Sequence, residues 1–421
     1  MSNLLKNNGE ENKIMLMPKL KSLMNRLDKR TRDMLALSIG ALGIIYLIWK
    51  YISVIGKDLT FKYFWLAGRL WSGGMSPYSP DYQHVGRSLF ETFNGQPFYY
   101  PPNWWPVSRF IALFDYATAT EIWRLINVMA IIGSTFLLRA ALRRADINLS
   151  TPTLILYTGV VALMQPTIIV LQQGQSTALV YFGLCLTIYA TLYSKHFLLG
   201  LGMAIMLLKP QIGVPLFFGF FLLKQNYKSV FYTITLTLVM MLPGFISLGF
   251  FETLFSYLAG LSEHSQFLTN SAKLSTGFKN IVYLIANRDI SSTLATLLSL
   301  IGVWGAAIYL QKIVYEKFDG GGAAKLCLYY MAVIFSTLFF APIHEYDMIL
   351  VAPVLLLVAV LGTSRQVLLA VPFLLMVRSG NIGDLFGPSS VDEARFYGSV
   401  VSTVALMAMI VVFAKISRQE D

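Results

Sequence analysis

The chain has 421 residues, of which 56% are hydrophobic and 13% charged, with a mean hydropathy of +0.60. That much apolar surface does not fit inside one water-soluble core, so the composition excludes a soluble enzyme and implies an integral membrane protein. The formal net charge of +11 does not point to nucleic acid, because the cations gather in segments that alternate along the chain as one side of a membrane would; membrane lipids are the simpler partner.

The N-terminal tail, residues 1–33, carries Lys6, Lys13, Lys19, Lys21, Arg26, Lys29, Arg30 and Arg32. Within it Leu16, Leu20, Leu23 and Leu27 recur at spacings of three and four, as in a surface helix. The tail is charged and the first apolar run is long and lacks a small-residue cleavage site, so no cleavable signal peptide is expected.

A hydrocarbon layer of ~30 Å takes roughly 20 helical residues to cross. Apolar stretches of about that kind fall at 34–55, 118–138, 150–171, 176–194, 196–208, 211–223, 229–250, 291–311, 325–342, 347–362, 366–378 and 396–414. They predict an all-α integral membrane bundle of about 12 transmembrane helices forming one domain over 34–415, with a short tail at 416–421. Pro and Gly within 196–223 suggest a broken or re-entrant pair. Cys185 and Cys327 lie inside apolar runs and read as small buried hydrophobes, not as a disulfide or metal site.

Cations at Arg139, Arg143, Arg144, Lys195, Lys224, Lys228, Lys312, Lys317, Lys325 and Arg365 share one side with the tail. By the positive-inside rule both termini are cytoplasmic. The opposite side then receives the loop 56–117, the run Gln172-Gln173-Gly174-Gln175, the link Lys209-Pro210-Gln211, the loop 251–290, the turn Pro342-Ile343-His344-Glu345-Tyr346-Asp347 and the loop 378–395. Polar groups at helix ends in a membrane are costly, so their convergence on one face suggests a site there.

Asp58 is the first carboxylate after the first membrane-length segment, beside Lys57 and Lys62. An acid among cations at a membrane surface suits chemistry on a charged, lipid-borne substrate. From Leu59 to Trp71 the apolar residues fall at helical spacing, and Lys62 and Arg69 lie on another face. This predicts an amphipathic interface helix whose cations face headgroups or a substrate phosphate. Gly73-Gly74-Met75-Ser76-Pro77-Tyr78 ends it. The rigid aromatic stretch from Tyr99-Tyr100-Pro101-Pro102 to Pro106 follows, suited to a membrane-surface belt, to stacking on a sugar, or to both. In the loop 251–290, Phe255, Tyr257, Leu258 and Leu261 suggest a further helix that covers the site or guides an acceptor.

Taken in order, Asp58, Gly73-Gly74-Met75-Ser76-Pro77-Tyr78, Tyr99-Tyr100-Pro101-Pro102, Gln173-Gly174-Gln175, Lys209-Pro210-Gln211 and His344-Glu345-Tyr346-Asp347 resemble glycosyltransferase family 87. That family belongs to the GT-C superfamily of multi-spanning enzymes, which includes bacterial polyprenyl-phosphomannose-dependent mannosyltransferases. The resemblance implies a GT-C-like bundle in the bacterial inner membrane that transfers a sugar from a polyprenyl-phosphate donor to a glycolipid or glycan acceptor on the extracytoplasmic face. It also implies that Asp58 is the catalytic base. Many GT-C enzymes carry paired acids in this loop, whereas Leu59 and Thr60 follow Asp58 here; neither a metal nor another cofactor is expected.

In that chemistry a carboxylate accepts the proton of the attacking hydroxyl, and fixed cations stabilise the charge that grows on the leaving phosphate. Lys62, Arg69, Lys209 and His344 are the candidate phosphate ligands, with Lys273, Lys279 and Arg378 behind them. Tyr99, Tyr100, Gln175, Glu345 and Asp347 are the candidate sugar or acceptor contacts. His344 and Asp347, three residues apart, share a face if they open a helix, with Glu345 turned away. Helix capping is the plainer role for Asp347, snorkelling to headgroups that for Lys209. A single displacement would invert the anomeric centre, while a covalent nucleophile at Glu345 or Asp347 stays open. A lipid-linked oligosaccharide ligase or polymerase, a polytopic transporter and a non-catalytic assembly factor remain as alternatives.

Overall fold

The computed structural model describes residues 28–53, 60–224, 227–267, 270–317, 322–361 and 363–416. Among them the regular structure is helical, and the one strand-like pairing is an isolated bridge between Thr276 and Ile343. The α-helices are α1 (Lys29–Ser53), α2 (Phe61–Ser72), α3 (Pro80–Leu89), α4 (Trp105–Ile111), α5 (Tyr116–Arg144), α6 (Thr151–Leu163), α7 (Gln165–Gln173), α8 (Thr177–Leu192), α9 (His196–Met206) and α10 (Pro210–Lys224). They continue with α11 (Tyr227–Leu248), α12 (Phe250–Ser265), α13 (Phe278–Ala286), α14 (Ser292–Lys317), α15 (Gly322–Phe340), α16 (Ala352–Leu357), α17 (Thr363–Val377), α18 (Ser379–Asp384) and α19 (Val391–Ile416).

Five of these are long and apolar enough to cross a membrane: α1, α5, α11, α15 and α19. The pair α6–α7 makes a sixth if its two halves, bent by 61°, are one span. Pro166, which lacks an N–H and crowds the preceding turn, stands at the start of α7 and accounts for the break. Each stretch expected to span is largely helical over its described residues, but α8, α9 and α10 are short, so length and hydropathy alone support a smaller number of crossings than the sequence suggests. The stretch 347–362 also departs from expectation. It is a 3-10 turn over Glu345–Val351, then α16, then a second 3-10 turn over Val358–Leu361. Pro353, at the start of α16, cannot donate the hydrogen bond that would make this one continuous α-helix.

The bundle is layered by exposure. Helix α15 is apolar all round and largely buried, with Tyr329, Tyr330, Met331, Val333 and Phe335 in the core. Helices α1 and α11 expose apolar side chains along their length, among them Leu42, Ile45 and Trp49 on the first and Phe231, Leu238 and Ile246 on the second. This is the surface expected of helices solvated by lipid.

Helix α1 packs along α6, and the contact depends on small residues. A Cβ on Gly43 would sit 2.3 Å from the carbonyl oxygen of Gly159, and one on Gly159 would sit 2.3 Å from that of Gly40. Backbones this close gain dispersion contacts that apolar tails cannot supply between larger residues. Gly305, by contrast, has open space around it. Gly43→Ala and Gly159→Ala are each expected to lower the thermal unfolding midpoint in detergent by several degrees, with Gly305→Ala unchanged; equal midpoints for all three would refute the close-contact account.

Candidate functional site

A second, aromatic core occupies the segment between Thr60 and Trp123 and positions the polar residues beside it. Helix α2 is not a surface helix: Phe61, Tyr63, Phe64, Leu66, Leu70 and Trp71 are all buried. Phe64 stacks on Trp104 at 4.3 Å and also meets Tyr100 and Trp123. Two buried indoles then reach out of this core. Trp104 Nε1 donates to the carbonyl of Leu208 at 2.8 Å, and Trp123 Nε1 donates to that of Gly174 at 2.8 Å. They hold the residues immediately before Lys209 and Gln175.

Lys209 sits at the joint between α9 and α10, where Pro210 opens the second helix and Gly213 lies against the end of the first. Its ammonium is directed inward. Nζ lies 2.5 Å from Asp347 Oδ1 and 2.9 Å from Thr177 Oγ1, and Thr177 in turn donates to Asp347 Oδ1 at 2.8 Å. Lys209, Thr177 and Asp347 are all at most 2% exposed. The face of the Tyr346 ring lies 4.6 Å from Nζ, so a cation–π contact closes a further side. Burial pulls the Lys209 ammonium down, opposed by the adjacent carboxylate.

The turn that carries Asp347 begins at His344. Asp347 Oδ2 accepts from the His344 backbone N–H at 3.1 Å, which is the capping role, while Oδ1 serves Lys209 and Thr177. His344 Nδ1 faces the carbonyl of Leu274 at 3.3 Å; a carbonyl only accepts, so Nδ1 carries the proton and Nε2 is left for another partner. Burial lowers the His344 imidazole, with Asp347 acting against it and Lys209 and Lys279 with it. Glu345 points elsewhere, as its position in the turn implies. Its Oε1 accepts from Ser379 Oγ at 2.5 Å, beside Gly398 of α19, and burial raises it.

Tyr99 and Tyr100 come to the same region. The Tyr99 ring stacks on His264 of α12 with 8° between planes, and on Tyr100 at 4.5 Å. Both phenols feel the Asp347 charge; burial holds Tyr99 up at about 12 and Tyr100 well above its ordinary value. His264 is pushed down to about 3 by burial and by the proximity of His344. Gln175 Nε2 donates to Thr60 Oγ1 at 3.1 Å and to Gln173 Oε1 at 3.3 Å, so it braces the start of α2.

The remaining candidates lie apart from this cluster. Lys62 is buried, with Nζ donating to the Thr92 carbonyl at 2.6 Å and the Thr92 hydroxyl at 3.0 Å. Arg69 is exposed, its guanidinium over the Trp65 ring. Asp58 lies outside the described residues. Sequence reasoning passed over Thr177, whose only signal was the polar run Gln175-Ser176-Thr177 at a helix start, and Tyr346, which lay unremarked between Glu345 and Asp347. No group of three or more His, Cys, Asp or Glu able to hold a metal ion occurs among the described residues.

The model of glycosyltransferase family 87 matches residues 98–342, a stretch that holds Tyr99, Tyr100, Gln175, Thr177 and Lys209 and stops just short of His344. No curated protein matches the chain.

His264 gives this region a measurable acid sensitivity. An unfolded histidine titrates near ~6.5 and the folded one near 3, so below about pH 6.5 the unfolded chain binds more protons and stability falls with pH. His264→Phe, which preserves the stack on Tyr99, is expected to flatten the loss of thermal midpoint between about pH 6.5 and 4.5 relative to wild type. Superimposable pH–stability curves would exclude His264 as a source of that loss.

Proposed function

The chain belongs to glycosyltransferase family 87, and from that premise we propose that it transfers a sugar from a polyprenyl-phosphate donor to a lipid or glycan acceptor on the extracytoplasmic face of a bacterial inner membrane. That it is a multi-pass membrane glycosyltransferase follows from the family and the apolar helices. The donor class rests chiefly on one observation. A fully buried lysine, Lys209, is held by Asp347 and Thr177 beside His344, where helices are broken and not continuous.

Within this reading, Asp58 accepts the proton of the acceptor hydroxyl as its oxygen attacks the anomeric carbon. The bond from that carbon to the phosphate oxygen breaks, and the polyprenyl phosphate leaves with one more negative charge than it carried as a diester. Lys209 and His344 meet that growing charge; an anion beside the imidazole favours its protonated form, which then donates from Nε2. Tyr99 and Tyr100 offer hydroxyls to a sugar, their rings being stacked on each other and, for Tyr99, on His264 of α12. A single displacement inverts the anomeric centre. The reaction is proposed to run without a metal, since Leu59 and Thr60 follow Asp58 with no second acid to share one. The alternating cations support an orientation with both termini cytoplasmic. The further, shorter apolar helices support a GT-C-like bundle with more crossings than those five helices supply.

Reconstitution with polyprenyl-phosphate sugars and a panel of acceptors tests this. Asp58→Asn is expected to reduce transfer by about 100-fold or more, the range general-base removal commonly costs. The product should have the anomeric configuration opposite to the donor, read by NMR, and a chelator should leave the rate unchanged. Wild-type transfer by the Asn variant would refute the base, and a chelator-sensitive rate would refute metal independence.

A further inference from the structure

We infer that Asp347 and Thr177 are positioning residues that hold Lys209 and His344 as one unit for the donor phosphate, and that Asp347 is not itself a contact to the sugar or acceptor. The inference rests on the reading of Lys209 as a phosphate ligand. It follows from how the carboxylate's acceptor sites are used. Oδ1 takes Lys209 Nζ at 2.5 Å and the Thr177 hydroxyl at 2.8 Å; Oδ2 takes the His344 backbone N–H at 3.1 Å. Three of the carboxylate's acceptor positions are thus taken within the protein, whereas the ammonium has two of its three N–H bonds directed to protein oxygens.

The same contacts set the direction of the lysine. A tetrahedral ammonium has three N–H bonds; one is directed to Asp347 and one to Thr177, which fixes where the third points. The Tyr346 ring lies against the cation, 4.6 Å from Nζ to its centroid. Asp347 also keeps the cation charged, because a lysine buried without a counter-ion sheds its proton. The charged and titratable groups around Lys209 are Asp347, Tyr346 and His344; Tyr99 and Tyr100 adjoin Asp347, and His264 and Lys279 adjoin His344. Asp347 is the carboxylate among them.

Initial rates of the reconstituted full chain, with donor and acceptor varied separately between about pH 6 and 10, test the inference. Lys209→Met is the reference for the underlying reading. Asp347→Asn keeps the shape and loses the charge, so donor KM should rise about tenfold or more with acceptor KM little changed, and kcat/KM for the donor should fall at lower alkaline pH than in wild type. Thr177→Val should raise donor KM by a smaller factor, and Thr177→Ser should restore it.

If Lys209→Met leaves donor KM unchanged, the phosphate reading itself fails and the inference with it. If Lys209→Met impairs donor use while Asp347→Asn and Thr177→Val do not, the positioning role alone is overturned. A rise confined to acceptor KM, or tighter donor binding in Asp347→Asn, also overturns it. Should Asp347→Asn not fold, the Thr177→Val and Thr177→Ser pair decides.

Discussion

Lys209 and Asp347 lie 2.5 Å apart and almost wholly out of water, and a pair in that condition is costly to keep. Removing two charges from water costs several kcal/mol each even after relaxation, and their attraction recovers it only with good geometry and with every remaining lone pair and proton used. Here the accounting is nearly complete: Thr177 and the His344 N–H fill the carboxylate, and Tyr346 covers the ammonium. A well-packed apolar pair would serve stability as well or better. Stability alone therefore does not account for the pair, and the neighbouring groups are arranged to satisfy both of its charges.

The aromatic core explains how such a pair is kept in register. Side chains from α2, from the 98–105 stretch and from α5 interlock ring against ring, and rings have few torsions to lose on packing. Trp104 and Trp123 carry that rigidity outward through single hydrogen bonds to Leu208 and Gly174. One thereby holds the neighbour of Lys209, and the other the neighbour of Gln175, two residues before Thr177. Buried carbonyls at helix ends need a donor in any case. Supplying it from an indole joins backbone satisfaction to placement of the polar side chains.

Class and helical character were legible in the sequence because they follow from composition and periodicity, which are local. That Gln175, Lys209 and the 344–347 turn stand as polar residues at the ends of apolar runs was legible too. Lys62 was read less well. Its spacing puts it on a polar face of α2, but Thr92, thirty residues on, folds back over it and engages the ammonium. Asp347 was seen as a cap or sugar contact, and the cap is present; its second oxygen faces Lys209, a partner 138 residues away that periodicity does not register. Thr177 was missed for a related reason. A hydroxyl at a helix start looks like ordinary capping until the tertiary fold brings a charge pair against it.

The breaks in the helices bear on why the polar cluster lies where it does. A continuous helix satisfies its own backbone and presents side chains at fixed 100° steps, which leaves little freedom to converge several polar groups on one point. Pro166 and Gly174 bound α7, Pro210 parts α9 from α10, and Pro353 follows the 3-10 turn that carries Asp347. Each break frees backbone groups that only protein or water can satisfy, and here they are taken up internally: Gly174 by Trp123, Leu208 by Trp104, the His344 N–H by Asp347. Irregular backbone of this kind is tolerated at membrane depth where it is enclosed by protein or lines a cavity. Three such breaks meet around one buried cation, and they let polar groups from distant segments face a single point.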